Sequence, residues 1–216
     1  MRLVLFDMDG TLVDSQAHIV GSMDAAFEAL GLSPPTRAQT LAIVGLSLPQ
    51  AMERLAPGGP RDALVQAYKD AYVALRDSHG ERSASPLYAG IRDVLETLHA
   101  QPETLLGVAT GKSRAGLDHV LGAHDLRRFF VTLQCADDHP SKPHPAMAEA
   151  VLADCGLSTG VIVGDTTFDL QMGRAAGMAT LGVTWGYHAR AQLAPYADAL
   201  ADTVADLPAH LEELHP

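Results

Sequence analysis

Cysteine is scarce. Cys135 and Cys155 are the only two in 216 residues, and they lack a C-x-x-C spacing. This argues against a disulfide framework and a zinc site, and fits a reducing compartment. No stretch approaches the ~20 consecutive apolar residues of a membrane span. The apolar run at the N-terminus is cut at Asp7 and does not read as a signal peptide. The expected location is therefore cytoplasmic. Positive charge is also in short supply, with 15 Lys and Arg against 26 Asp and Glu and a formal charge of −11. Nucleic acid and anionic membranes are poor partners for such a chain. An anionic substrate would need a cation and local Lys or Arg. Internal repeats and low-complexity tracts are absent. What remains is 47% hydrophobic with a mean hydropathy of +0.07, enough for one domain, or for a core domain carrying a smaller insertion.

The hydrophobic pattern divides the chain. Leu3–Phe6 is a short apolar run that suits a strand buried on both faces of a parallel sheet. From Ser15 the period changes to three and four. It predicts helices from 16 to Gly31, from Pro34 to Gly45, over 48–56 and over 61–78, before a polar segment from His79 to Ser85. From Pro86 onward strands alternate with helices. Strands are expected at 105–109, 130–133, 161–163 and 180–183, and helices at 90–100, 113–123, 145–155, 167–176 and 207–214. That rhythm indicates an α/β fold, a doubly wound parallel sheet with helices on both faces. Residues 1–14 and 86–216 are expected to form the core domain, and residues 15–85 an inserted helical domain.

The polar residues at strand ends carry the chemistry. Asp7 and Asp9 close the first strand beside Gly10. Asp is depleted in strands, and buried carboxylates are unfavourable unless paired. Either these acids sit in a solvated turn or they hold a divalent cation. Thr110 and Gly111 end a second strand ahead of Ser113, as an ordinary N-cap turn or as an anion cradle. Lys142 lies in the loop Ser141–Pro145, as a surface lysine or as a fixed charge beside carboxylates. Asp165 and Asp169 follow the strand Val161–Val163, as helix-terminal acids, metal ligands or both. Four converging aspartates would select a hard cation with oxygen ligands.

The stretch FDMDGTLVDS resembles the first motif of the haloacid dehalogenase superfamily, D-x-D-G-T-[LV]-x-D-[ST], at every key position. Thr110 falls where the second motif places a Thr or Ser, K-P-x-P at Lys142 resembles the third, and G-D-T-x-x-D at Asp165 and Asp169 matches the fourth. DSQAHIVGSMDAAFEALGL and GVTWGYH look like the phosphoglycolate-phosphatase branch, and the insert matches a helical cap. The resemblance implies a Rossmann-like core and a Mg²⁺-dependent phosphatase of small phosphomonoesters, phosphoglycolate among them. Asp7 would be the nucleophile, forming an aspartyl-phosphate. Asp9 would be the general acid and base, in surroundings that keep it protonated at first. Thr110 and Gly111 would bind the phosphoryl group, and Lys142 would neutralise it. The metal would be held by Asp7, the Asp9 backbone carbonyl and Asp165, with Asp169 direct or one shell out. Gly45 and Leu46 would form the substrate-facing loop of the cap. Arg54, His18 and His188 read as surface residues that could also meet a substrate carboxylate or sugar.

Two other functions fit less well. A phosphomutase keeps the second acid and differs in its cap. A non-catalytic phospho-Asp signalling module shares the acids, Thr and Lys, but in another order and without D-x-D-G-T. The implied partner is a small-molecule phosphomonoester, with the chain a monomer or homodimer.

Overall fold

β1 (Arg2–Phe6) runs through the interior of a six-stranded sheet. It is flanked by β2 (Thr104–Thr110) and β4 (Val161–Gly164). β3 (Thr132–Cys135) lies outside β2, while β5 (Ala179–Val183) and β6 (Ala199–Ala201) extend the other side. The order is β3-β2-β1-β4-β5-β6, every pair parallel. This computed structural model describes residues 1–79 and 85–214. The His79–Ser85 segment at the seam between the two expected domains therefore lies partly outside the described residues, and the last two residues lie wholly outside them.

The alternation of β1 builds both faces. Val4 and Phe6 join one buried cluster with Val108, Val163, Leu181 and Val183. That side is covered by α5 (Ile91–His99), α6 (Arg114–Ala123) and α10 (Leu207–Leu214). Leu3 and Leu5 face the other side, against α7 (Ala146–Cys155) and α8 (Thr167–Ala175) through Met147, Val151 and Met172. Each large apolar side chain so buried contributes about 1.5–3 kcal/mol. The chain winds outward from β1 in both directions, so β1 and β4 form the switch point beside which open α/β sheets place their ligands.

Among the described residues, four helices interrupt the alternation between β1 and β2: α1 (Gln16–Ala29), α2 (Arg37–Leu41), α3 (Leu48–Leu55) and α4 (Arg61–His79). α1 packs along α4, and Met23, Phe27, Ile43, Met52 and Leu64 form a third apolar cluster. Phe168 of α8 reaches into it, so the helical insert rests on the end of the sheet that carries the acids.

Two expectations shift, and two elements were not expected. The helix expected up to Gly45 stops at Leu41 and continues as turns. The strand expected at 130–133 lies at Thr132–Cys135, because a 3-10 turn at Arg127–Phe129 directs Phe129 and Phe130 into the core. Their hydrophobicity reflected burial rather than extension. β6 and the short α9 (Arg190–Leu193) carried no periodic signal.

Candidate active site

Asp7 extends the β1–β4 ladder by one bond, its N–H donating to the Val163 carbonyl at 3.0 Å. Its carboxylate thus emerges at the carboxyl end of the sheet. The chain turns at once, with the Leu12 and Val13 amides both donating to the Met8 carbonyl. Gly10 takes φ +83° in that turn and abuts Asp165, the residue that follows β4. The Asp165 oxygens accept from the Thr11 hydroxyl at 3.0 Å and the Tyr187 amide at 2.9 Å.

Asp169 comes from the first turn of α8, where it and Thr166 form a capping box. Its Oδ2 accepts from the Thr166 amide and hydroxyl at 3.0 and 2.7 Å, which fixes the side chain. Its Oδ1 accepts from Lys142 Nζ at 2.6 Å. The same ammonium lies 2.8 Å from Asp7 Oδ1. Lys142 is wholly buried.

Asp7, Asp165 and Asp169 bring one oxygen each within 4.8 Å of one another, all three buried. The Lys142 ammonium pairs with two of the three, Asp7 and Asp169. Despite the ion pair, neither Asp7 oxygen receives a well-directed hydrogen bond. Burial pushes the Asp7 carboxyl up to about 7, Lys142 opposes this, and the Asp169 charge adds to it. Burial likewise raises Asp165 well above its usual value, with the charges of Asp169 and Asp7 in second place. Orphaned hard oxygens in a site short of positive charge fit a divalent cation.

Asp9 stands outside this carboxylate group. Its carboxylate accepts from the Ser15 hydroxyl and lies 2.9 Å from Lys112 Nζ. Behind Ser15 stands Tyr187, whose hydroxyl is 3.0 Å from Ser15 Oγ. Lys112 also donates to the Tyr72 hydroxyl of α4 at 3.1 Å. Burial acts to lower the Lys112 pKa, but Asp9, Tyr72 and Tyr68 together outweigh it and the net shift is upward.

Thr110 is fully buried at the end of β2, its hydroxyl accepting from the Lys112 amide at 3.2 Å. Gly111 meets the insert. A Cβ there would lie 2.7 Å from the carbonyl oxygens of both Gly45 and Leu46. These two residues, expected to face the substrate, do reach the strand ends. A cavity of about 650 Å³ opens there, bordered by Asp7, Asp9, Gly45, Leu46, Gly111 and Lys112 together with α4. Thr110, Lys142, Asp165 and Asp169 are not part of its lining.

His18 and His188 are buried rather than on the surface. His18 bonds the Tyr72 carbonyl at 2.9 Å, and His188 Nδ1 accepts from the Thr167 amide at 3.0 Å. Arg54 is exposed and lies over the Phe168 ring. None of the three lines the cavity. The sequence reading missed Ser15 and Lys112 as partners of Asp9, and Tyr187 and Tyr72 behind them. Lys112 follows Thr110–Gly111 directly, which was the one available signal.

A family model of haloacid dehalogenase-like hydrolases matches residues 4–183. A probable phosphatase, IndB, of Dickeya dadantii is 36% identical over 95% of this chain and 91% of its own length. A phosphoglycolate phosphatase of Pseudomonas fluorescens is 29% identical over 87% of this chain and 71% of its own. Among solved structures, a haloacid dehalogenase-like family hydrolase of Streptococcus pneumoniae superposes with a TM-score of 0.85. It has 25% identity and covers 97% of this chain and 98% of that one.

Proposed function

This chain belongs to the haloacid dehalogenase-like hydrolase family, and from that premise we propose that it is a metal-dependent phosphatase of small phosphomonoesters acting through an aspartyl-phosphate at Asp7. The observation that carries the reading is the pairing of Asp7 with Lys142 inside a buried group of three carboxylates. Relatives with phosphatase and phosphoglycolate phosphatase names support the reaction class and point to phosphoglycolate as the first substrate to assay.

Asp7 attacks phosphorus in line; the new Oδ–P bond forms as the ester P–O bond breaks. Lys142, fixed between Asp7 and Asp169, offsets the repulsion between the nucleophile and the incoming dianion. Thr110 and Gly111, at the end of the neighbouring strand, hold the phosphoryl oxygens. In this proposal Asp9 enters the step as the carboxylic acid, gives its proton to the leaving alkoxide, and recovers one from the water that cleaves the aspartyl-phosphate. Ser15 and Lys112 hold its carboxylate in place. Asp7, Asp165 and Asp169 are the residues to hold a divalent cation, which we take as Mg²⁺ and which, when bound, supplies charge against the phosphoryl oxygens. Residues 15–85 serve as the cap, closing over the cavity and excluding water.

The test is Mg²⁺-dependent phosphate release from a panel of phosphomonoesters, with Asp7→Asn as the control. Turnover abolished by the substitution supports the mechanism. Unchanged turnover in Asp7→Asn rules out the aspartyl-phosphate. Hexose phosphates isomerised without phosphate release would make the chain a mutase.

A further inference from the structure

The segment Trp185–His188 follows β5, and the proposed reaction uses none of its side chains, yet each of its four residues bears on the site. Trp185 Nε1 donates to the Thr11 carbonyl at 3.2 Å. Gly186 abuts Asp165. The Tyr187 amide donates to Asp165 Oδ2 at 2.9 Å, and His188 Nδ1 accepts from the Thr167 amide at 3.0 Å. The backbone of Tyr187 is thus fixed on a carboxylate of the cluster, while its hydroxyl reaches Ser15.

The bonds around that hydroxyl leave one order for the protons. The Ser15 amide donates to Tyr187 Oη at 3.2 Å. The Ser15 hydroxyl donates to Asp9 Oδ1, so toward Tyr187 its oxygen can only accept. The 3.0 Å contact between the two hydroxyls is therefore a bond from Tyr187 to Ser15. The chain runs from Tyr187 through Ser15 to Asp9, and bonds in such a chain strengthen one another. Ser15 is also the N-cap residue of α1, where a serine oxygen ordinarily accepts from the first turn. Here it makes no cap bond and serves Asp9 instead. Lys112 Nζ is placed on the same oxygen, Asp9 Oδ1, at 2.9 Å. With both donors on Oδ1, Oδ2 is the oxygen that exchanges a proton.

We propose that Tyr187 is a positioning residue that, acting through Ser15, fixes Asp9 for proton transfer to the leaving group at Oδ2. The inference rests on the phosphatase reading and adds a residue which that reading does not use. Because the amide of the same tyrosine holds Asp165, a single residue keeps the proton donor in register with the carboxylate cluster.

The experiment measures kcat/KM for the alkyl phosphate that wild type turns over fastest, against p-nitrophenyl phosphate and the smaller acetyl phosphate. An alkoxide leaves only with a proton, whereas p-nitrophenolate and acetate leave without one. Tyr187→Phe removes the hydroxyl and keeps both the ring and the amide on Asp165. It should lower kcat/KM for the alkyl ester at least about tenfold more than for the other two, a part of the ~10²–10⁴-fold that a placed general acid supplies. Ser15→Ala should shift the ratio in the same direction, and the double variant should shift it no further than Ser15→Ala, because the two residues act as one unit. The rise in melting temperature on adding Mg²⁺ should persist in Tyr187→Phe. Equal losses for all three compounds, effects that add in the double variant, or a lost Mg²⁺ response each overturn the proposal. An unchanged ratio in Ser15→Ala overturns it without recourse to Tyr187→Phe. No phosphate from any ester would bring down the phosphatase reading itself, and the proposal with it.

Discussion

Gly10 and Asp165 are so close that a Cβ on the glycine would lie 2.2 Å from Asp165 Oδ2. The positive φ of Gly10 adds a second reason for glycine. Gly186 crowds Asp165 from another direction, where a Cβ would lie 2.2 Å from the Asp165 Cβ. Two glycines from distant parts of the chain thus shape the space around one carboxylate. Gly10→Ala and Gly186→Ala should each displace Asp165. We expect about 1–3 kcal/mol of lost stability from the overpacking. The rise in melting temperature on adding Mg²⁺ should also be lost. Measuring that rise in both variants checks the claim, since a role in backbone conformation alone would spare the response in Gly186→Ala.

Lys142 is the buried counter-charge of the cluster. Lys142→Met should lower stability by about 3–5 kcal/mol, because it leaves buried carboxylates without their ammonium. Asp7→Asn should act in the opposite sense on folding while abolishing phosphate release. In chelator above neutral pH it removes one of three converging charges, and a gain of about 1 kcal/mol, or ~2–4 °C, is expected. The double variant should lose less than Lys142→Met alone, because the two residues are in direct contact. Thermal unfolding of the three proteins in EDTA reads all of this.

Protons and metal should compete at Asp7. Its folded-state carboxyl titrates at about 7, above the ordinary 3.8. Between those values the folded state binds a proton that the unfolded chain has lost. The stability this contributes is complete below about pH 4 and is lost as pH rises through about 7. A divalent cation needs the carboxylate, so its contribution should grow across the same window. At a hundredfold excess over its dissociation constant a ligand adds ~2.7 kcal/mol, or about 5–10 °C here. Most of that shift should be present at about pH 8 and little at about pH 5. A Mg²⁺-induced shift independent of pH would show that Asp7 is not a ligand.

The cluster of acids was largely legible because its members lie at strand ends and a helix start. Leu3–Phe6 and Val161–Val163 are unbroken apolar runs that end at or next to an acid, so both the strand and its acidic end stand out. The surroundings of Asp9 were not legible, because its two partners and the tyrosines behind them come from four places. Ser15 lies near it in the chain, but Lys112 follows β2, Tyr72 lies on α4 and Tyr187 follows β5. Only the packing of the insert on the sheet brings Tyr72 to Lys112. Histidine was misread for a related reason. His18 falls on the face of α1 that meets α4, and its ring is buried edge-on to Tyr72. Composition cannot distinguish that from exposure. β6 is three residues of Ala and Leu at the sheet edge, too short for any period to register.

The contact of Gly111 with Gly45 and Leu46 gives the last prediction. Gly111 has no left-handed φ to preserve, so an alanine there is a steric probe. Its Cβ would lie 2.7 Å from two carbonyl oxygens of the insert, and backbone cannot yield as a flexible side chain does. Because the clash falls between the end of β2 and the loop of the insert, the loop should move outward while both packed clusters survive. Gly111→Ala should therefore melt within a few degrees of wild type. Its KM should rise by about tenfold or more, the scale on which misplaced substrate contacts act. The metal-dependent shift in melting temperature should be retained, since Asp7, Asp165 and Asp169 lie on other segments. Kinetics and melting curves on one preparation separate the outcomes. Unchanged KM would mean that Gly45 and Leu46 do not border the bound substrate, and a lost metal response would mean that the insert braces the carboxylates as well.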